Sequence, residues 1–337
     1  MSRRRWAALF SLVVPLVLAA PAADAATYRD VPAGHAFATE IGWLSDQGVA
    51  TGYADGTFRP GAPVLREQMA AFLYRFTYGG SNPPAANTTS GFRDVALGHT
   101  FKNHIRWLSS AGWATGYADG TFRPGAPVLR EQMAAFLYRA AGSPSASALT
   151  CGFDDIPSSH AFAREICWLK STGITTGYDN PDGTTSFRGS QPVLREQMAA
   201  FLYRFDQGRG RPTKPSATTI AVNWILTDTN LYRAQNGLRT LTLHPSMNTV
   251  AADWSKHMHD TCTFNHNPDY SSQIPSGWTK AAENIAAGQQ YTDVVQAWID
   301  SPGHRANLLG DFTHLGVGYY SGSNCYGRYF TQVFAKY

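Results

Sequence analysis

The residues best suited to chemistry in this chain are His266, Glu283 and His304, two imidazoles and a carboxylate in its last third. Neutral imidazoles and a carboxylate can hold a divalent cation such as Zn2+ with one coordination position open, as catalytic zinc sites do. His266 and His304 are then the candidate metal ligands. No HExxH helix accompanies them, and the three read as coming from separate loops, which argues against a tight metal centre. A hydrolase needs a nucleophile, a base and an orienting acid, and Ser301, His304 and Glu283 supply those residue types. Ser301, however, precedes Pro302 and reads as the N-cap of a helix with proline in its first turn. The reading the residues favour is a hydrogen-bonded His/Glu cluster that shapes a ligand cleft without catalysis. All three side chains are expected to converge: Phe264 anchors the loop of His266, Ile285 follows Glu283, and His304 lies in the capped first turn. Helix N–H groups there disfavour an imidazolium, so the His304 pKa is expected to be depressed. His257 and His259, on either side of Met258, point to different helix faces and read as surface residues.

A second set of chemical groups recurs along the chain. The string VLREQMAAFLYR begins at Val64, Val128 and Val193, placing Arg66, Arg130 and Arg195 in the first turn of a helix. A cation at that end opposes the macrodipole at a cost of a few tenths to about 1 kcal/mol, so another contact should favour it. An Arg fork beside free helix N–H groups is a receptor for a carboxylate or phosphate. The plainer alternative pairs each Arg with a nearby acid such as Glu67, Glu131 or Glu196. His35, His99 and His160 recur with the same spacing and read as structural or ligand-facing. Trp43, Trp107 and Trp168 could stack on sugars, but their Ile and Leu neighbours place them in a core.

The elements that position these groups follow from repetition and periodicity. YRDVPAGHAFATEIGWL at Tyr28, FRDVALGHTFKNHIRWL at Phe92 and FDDIPSSHAFAREICWL at Phe153 each lead to GYADGTFRP or a variant, then to VLREQ. In the first unit one helix runs from about Ala38 to Gly48 with Ile41 and Leu44 inward. A second starts near Leu65, where Met69, Phe72, Leu73 and Phe76 fall on one face. Tyr53-Ala54-Asp55-Gly56 supplies the turn between them. Two such helices cannot bury their faces alone, so the units should pack into one pseudo-threefold helical domain. Repeat three has an insertion at Asn180-Pro181-Asp182 and Gly189 in place of Pro60 and Pro124, which predicts an altered groove. Gly79 to Asn87, Gly142 to Ala148 and Gly208 to Ala217 read as linkers.

From about Thr218 the pattern changes. Trp224, Ile225, Leu226 and Leu231 line one helix, and Met247, Val250, Ala251 and Trp254 a second that opens near Pro245. After a loop-rich stretch come helices at Thr292 to Ile299 and from Ser301-Pro302, then two strands, Leu315 to Tyr320 and Tyr329 to Phe334. Helices with a small antiparallel sheet make this half α+β.

The repeat strings resemble the S-layer homology (SLH) family across residues 28 to 206, through the aromatic-Asp start, the GYxDGTFxP turn and the Arg-Glu pair opening a helix. That resemblance implies three repeats, about 28–76, 92–140 and 153–206, that bind secondary wall polysaccharides, often through a pyruvylated sugar, in grooves between repeats. It makes Arg66, Arg130 and Arg195 the candidate carbohydrate-binding residues, and a wall polysaccharide or peptidoglycan-linked glycan the partner. The family's TRAE motif reads LREQ here.

NLYRAQNGLRTL, FNH at Phe264, ENIAAG at Glu283, VVQAWIDSPGHRANLL at Val294 and FTQVFAKY resemble the CAP family of secretory proteins (cysteine-rich secretory, antigen 5, pathogenesis-related 1) across residues 218–337. This implies an αβα sandwich with an open cleft carrying two His and two acids. His266 fits the first His, Glu283 the first acid and His304 the second His. The second acid falls on Ser301, with Asp300 one residue away and facing elsewhere. The missing acid favours binding of a small apolar molecule, a peptide or a surface protein over an envelope hydrolase of peptidase or esterase type, with or without a metal.

Composition agrees with an exported, multidomain chain. A length of 337 residues suits two or three domains. Hydrophobic residues at 43% and charged residues at 15% describe folded domains with a weakly charged surface. A net charge of +4, with no Lys/Arg-dense block beyond the extreme N-terminus, excludes a nucleic-acid binder. Arg3-Arg4-Arg5, the apolar run Trp6 to Ala20 and Ala23-Asp24-Ala25 read as a signal peptide over residues 1–25. Ser2-Arg3-Arg4 resembles the start of a twin-arginine signal. The apolar run is shorter than the roughly 20 residues that span a bilayer, so the mature chain is expected to have no transmembrane span. Residues 26–206 then form the repeat domain, 207–217 a linker and 218–337 the second domain. Export and the absence of CxxC spacing turn the four cysteines toward disulfides. Local pairs, Cys151 with Cys167 and Cys262 with Cys325, are expected. The destination is the cell wall or cell surface.

Overall fold

The computed structural model describes residues 28–83, 89–145 and 148–337. The expected signal peptide lies outside these residues, as do parts of the first two linkers. Each repeat contributes a helical pair: α1 (Ala38–Asp46) with α2 (Arg66–Tyr78), α3 (Lys102–Ser110) with α4 (Arg130–Ala140), and α5 (Ala163–Ser171) with α6 (Arg195–Arg209). The insertion in repeat three forms a short hairpin, β1 (Tyr178–Asp179) with β2 (Thr185–Ser186), between α5 and α6.

The recurring Asp and the recurring Arg of the turn explain one another. Arg59, Arg123 and Arg188 all sit at φ 58°, a left-handed conformation that costs a side-chain-bearing residue about 1–3 kcal/mol. The Asp30 carboxylate accepts from the backbone N–H of Phe58 (2.8 Å) and Arg59 (2.7 Å) and holds that turn. Asp94 does the same for Phe122 and Arg123, and Asp155 for Phe187 and Arg188.

The three units close on themselves as expected, through contacts that are all non-local. At the axis Val64 N–H donates to Val193 O (2.9 Å), Val193 N–H to Val128 O (2.8 Å) and Val128 N–H to Val64 O (2.8 Å), a cyclic triangle. His99 reaches Glu67 (3.2 Å), His160 reaches Glu131 (3.5 Å) and His35 reaches Glu196 (3.5 Å), each across a repeat boundary. These histidines are therefore structural, and the glutamates pair with them. One continuous core runs through all three units and includes Trp107 and Trp168, while Trp43 packs edge-on against Phe76 and Tyr203.

His104 is buried in this core with Nε2 against Asn82 Oδ1 (3.2 Å) and Nδ1 without a partner. Burial, and then the nearby Arg75 cation, lower its pKa to about 4. The unfolded chain binds a proton here that the folded chain refuses, so stability is lost as pH falls from the unfolded value near 6.5 through about 4. At about 1.4 kcal/mol per unit the loss reaches about 3 kcal/mol. Urea unfolding across that pH range should show His104→Leu losing about that much less stability than the parent; parallel pH profiles would contradict this.

The C-terminal half opens with α7 (Ala217–Gln235), capped by Ser216 Oγ accepting from Thr219 N–H (3.0 Å). Then follow β3 (Thr242–Leu243), α8 (Pro245–Thr261), α9 (Tyr270–Gln273), β4 (Lys280–Ala287), α10 (Val294–Asp300), α11 (Pro302–Leu308), β5 (His314–Ser321) and β6 (Arg328–Lys336). The sheet order is β3-β5-β6-β4, with β3 parallel to β5 and the other pairs antiparallel. The sheet is thus mixed rather than purely antiparallel. Alternation builds the layers. Leu315, Val317, Phe330 and Phe334 face Ile225 of α7, Trp298 of α10 and Leu308 of α11, whereas Val333 and Ala335 face Met247 and Ala251 of α8. Gly316 and Gly318 let α8 lie directly on β5, since a Cβ at Gly318 would stand 2.1 Å from Ala251 O. The result is an αβα sandwich. Both expected disulfides are present, Cys151–Cys167 and Cys262–Cys325.

Candidate functional site

Glu283 belongs to a strand, not to a loop: β4 pairs with β6 along its whole length, with Glu283 opposite Val333. Its Oε1 accepts from His266 Nδ1 (2.7 Å) and from the backbone N–H of Asn267 (3.0 Å), while Oε2 is buried without a partner. Burial raises the carboxyl pKa, and the His266 and Asn267 bonds pull it part of the way back. The Glu283 side chain is 2% exposed and that of His266 60%, so the pair presents an oriented imidazole to solvent from a buried base. His304 lies in the first turn of α11, and its pKa is depressed, first by burial and then by the charge of His266. His266 and Glu283 are thus in direct contact, and the backbone of His304 is tied to the strand of Glu283 through Asn284.

A buried amide chain that sequence reasoning missed fixes their spacing. Asn284 Nδ2 donates to His304 O (3.2 Å) and to Gln332 Oε1 (3.3 Å). Asn307 Nδ2 donates to Asn284 Oδ1 (2.9 Å) and Glu283 O (3.1 Å), and Gln332 Nε2 to Thr229 Oγ1 (2.9 Å). The available signal was an Asn directly after Glu283 inside an apolar run, a polar group that must be satisfied if buried.

The structure corrects two details and bears out a third. Ser301 occupies the cap position of α11, but its side chain makes no capping hydrogen bond. His259 is buried, not on the surface, because α8 turns it onto the sheet beneath Tyr320 at a ring distance of 4.7 Å. Asp300 does face elsewhere, accepting from Gln296 Nε2 (2.9 Å). Among the described residues no three His, Cys, Asp or Glu side chains gather as a metal-binding group, and His266 Nδ1 is engaged by Glu283.

The helix-opening arginines stand in the repeat boundaries. Their helix N–H groups are not free: Arg66 N–H donates to Ala126 O (2.9 Å) and Glu67 N–H to Pro124 O (3.1 Å), with the same pattern from Arg130 and Arg195. The guanidinium itself bridges to the next repeat. Arg66 Nε donates to Phe122 O (2.7 Å), Arg130 Nε to Phe187 O (2.8 Å) and Arg195 Nε to Phe58 O (2.7 Å). Each also lies near a tyrosine ring, Tyr117, Tyr178 or Tyr53, at 5.0, 4.8 and 5.0 Å. Arg195 lines a groove of about 170 Å³ with Tyr53, Gln68, Arg75 and Phe101. Arg130 lines a similar one of about 160 Å³ with Tyr178, Gln197 and Arg204, so repeat three keeps its groove despite the insertion.

The two domains are docked on each other rather than loosely tethered. Arg106 of α3, 3% exposed, forms a fork with Asp228 of α7 at 2.7 and 3.0 Å and stacks 3.4 Å from the Trp224 ring. Ser109 Oγ meets Thr227 Oγ1 at 2.7 Å beside them.

Comparison with known proteins matches this architecture. The S-layer homology domain model matches residues 27–70, 91–134 and 152–199, and the model of the cysteine-rich secretory protein family, CAP, matches residues 226–334. The chain carries three S-layer homology domains followed by a CAP domain. It is 28% identical over 141 residues to a cellulosome-anchoring protein of Acetivibrio thermocellus, covering 42% of this chain and 31% of that protein. It is 35% identical over 129 residues to the uncharacterized protein YkwD of Bacillus subtilis, covering 36% of this chain and 49% of that protein. A solved structure of an extracellular protein containing a SCP domain from Bacillus anthracis is 30% identical, covers 44% of this chain and 45% of that one, and has a TM-score of 0.31. The chain thus spans between about a third and a half of the length of these relatives. Its S-layer homology domains make it a secreted, cell-wall-associated protein. Among the described residues no helix is long and apolar enough to cross a membrane.

Proposed function

We propose that the repeat domain binds a wall polysaccharide in the grooves beside Arg66, Arg130 and Arg195 and displays a CAP cleft that binds a ligand rather than transforming one. The observation that carries the second part is the lone buried carboxylate. Glu283 orients His266 through one oxygen while the other is buried without a partner, and no second acid or third metal ligand stands with it among the described residues. The imidazole held this way offers Nε2 to one polar group of a ligand. Phe264 and Tyr326, 49% and 59% exposed with rings 6.2 Å apart, supply an apolar rim beside it. The ligand is a small apolar molecule, a peptide or a surface protein with one apolar face and one hydrogen-bonding group. The similarity to an anchoring protein supports the first part.

The test is incubation of the chain with a library of peptides, esters and apolar small molecules, with chelator or with Zn2+. Saturable binding without turnover is expected, unaffected by chelator and weakened about tenfold by His266→Ala, the worth of roughly one hydrogen bond. Turnover that His304→Ala or Ser301→Ala abolishes would establish the hydrolase instead.

A further inference from the structure

Folding assembles a basic cavity that no stretch of the sequence contains. It has a volume of about 530 Å³ and lies where the two domains join. Its walls are the C-terminal ends of α3 and α4, the last turn of α6, the segment 211–215 and the first turns of α7. Arg139, Arg209, Arg211 and Lys214 line it, and no aspartate or glutamate does. None of these four forms an ion pair within 4.0 Å among the described residues.

Their partners are neutral. Arg139 Nη1 donates to Trp113 O (3.1 Å), Arg211 to Phe76 O (3.5 Å) and to Gln47 Oε1. Arg209 lies over the Trp168 ring at 5.3 Å and Lys214 over the Tyr78 ring at 5.0 Å. The acid whose charge acts on Arg139 is Glu165, which does not line the cavity. Arg139 and Arg209 stand in the last turns of α4 and α6, where the macrodipole favours a cation. That accounts for two of the four. Arg211 and Lys214 lie beyond α6, on a segment stiffened by Pro212 and Pro215 that could have crossed the junction without charge. Like charges gathered around one cavity repel, and a multiply charged anion relieves several of them at once.

We propose that this junction cavity binds a phosphate-bearing ligand, at a site separate from both the repeat grooves and the CAP cleft. Guanidinium forks match the phosphate oxygens, and Lys214 adds a point charge. The site does not depend on the roles proposed for the grooves or the cleft. The phosphate comes either from a wall polymer or from free inorganic phosphates.

Calorimetric titration of the full chain with inorganic pyrophosphate, in a buffer without phosphate, tests it. Saturable binding that weakens with salt is expected, about tenfold weaker in Arg209→Ala/Lys214→Ala, two exposed positions whose loss leaves the melting temperature unchanged. Lys214→Gln alone should weaken binding several-fold and serves if the double variant folds poorly. Displacement of pyrophosphate by purified phosphate-containing wall polymer identifies the polymer as the source, and no displacement identifies free phosphate. No saturable binding at millimolar pyrophosphate, or equal affinity in a folded variant, overturns the site. Wall binding retained in such a variant leaves the repeat grooves standing as the anchor.

Discussion

Asp228→Ala is expected to undock the two domains at a cost of about 3–5 kcal/mol, because it leaves the Arg106 guanidinium buried and unpaired. Burial raises the Asp228 carboxyl pKa and lowers that of Arg106, each partly offset by the other, so the pair persists only while both members are present. Calorimetry should show two unfolding transitions in place of one coupled transition, and trypsin should begin to cut after Arg209, since Pro212 protects the bond after Arg211. Replacing both members together, Arg106→Met with Asp228→Leu, should restore most of the docking, since a well-packed apolar pair is often as stable as a buried ion pair. A single variant that melts and resists trypsin like the parent would show that the domains are held by other contacts.

Breaking the Cys262–Cys325 bridge is the second large effect. Its cysteines are separated by 63 residues, and the loop-entropy model gives about 4 kcal/mol for a closed loop of that size. The loop contains His266, Glu283 and His304, and the bridge also ties Phe264 to the hairpin that carries Tyr326. Cys262→Ser with Cys325→Ser should therefore lower the stability of the C-terminal domain by about that amount and abolish ligand binding at the cleft while wall binding persists. The Cys151–Cys167 bridge, with a separation of 16, should contribute about 3 kcal/mol to the repeat domain alone. Peptide mapping that joined Cys262 to Cys151, or an unchanged melting profile after substitution, would contradict this.

Much of the architecture is legible in the sequence because it rests on repetition and local period. Ile41, Leu44, Met69, Phe72, Leu73 and Phe76 are all in the core as their spacing indicates. The pairing of His266 with Glu283 follows the resemblance to the CAP family. The strand around Glu283 was hidden, because the adjacent polar pair Glu283-Asn284 breaks the alternation that would mark Lys280 to Ala287 as a strand. The partners of the recurring groups were hidden for a different reason. Identical strings cannot say whether His99 meets a glutamate of its own repeat or that of its neighbour, and only closure around the axis decides for Glu67. The helix-opening N–H groups looked free for the same cause, since their acceptors, Ala126, Gln191 and Ala62, come from adjacent repeats.

The interdomain dock did leave a trace. In the motif I-x-W-L, repeat one has Gly42, repeat two Arg106 and repeat three Cys167. One position thus serves as a buried glycine, as half of a buried ion pair and as half of a disulfide. A charged residue at a position that its sister repeats keep uncharged is the mark of a contact outside the repeat, and only the fold reveals that Asp228 is its partner.

The central claim is that the repeats hold the molecule on a wall polysaccharide and leave the CAP cleft free. It is tested most directly by co-sedimentation of the full chain with purified wall sacculi before and after the non-peptidoglycan polysaccharide is extracted. The account predicts saturable binding to intact sacculi, weakened by Arg195→Gln in proportion to a charge-assisted contact of about 1.5–3 kcal/mol, and loss of binding after extraction. Undiminished binding to extracted sacculi, or binding that the cleft variant His266→Ala removes, would contradict it.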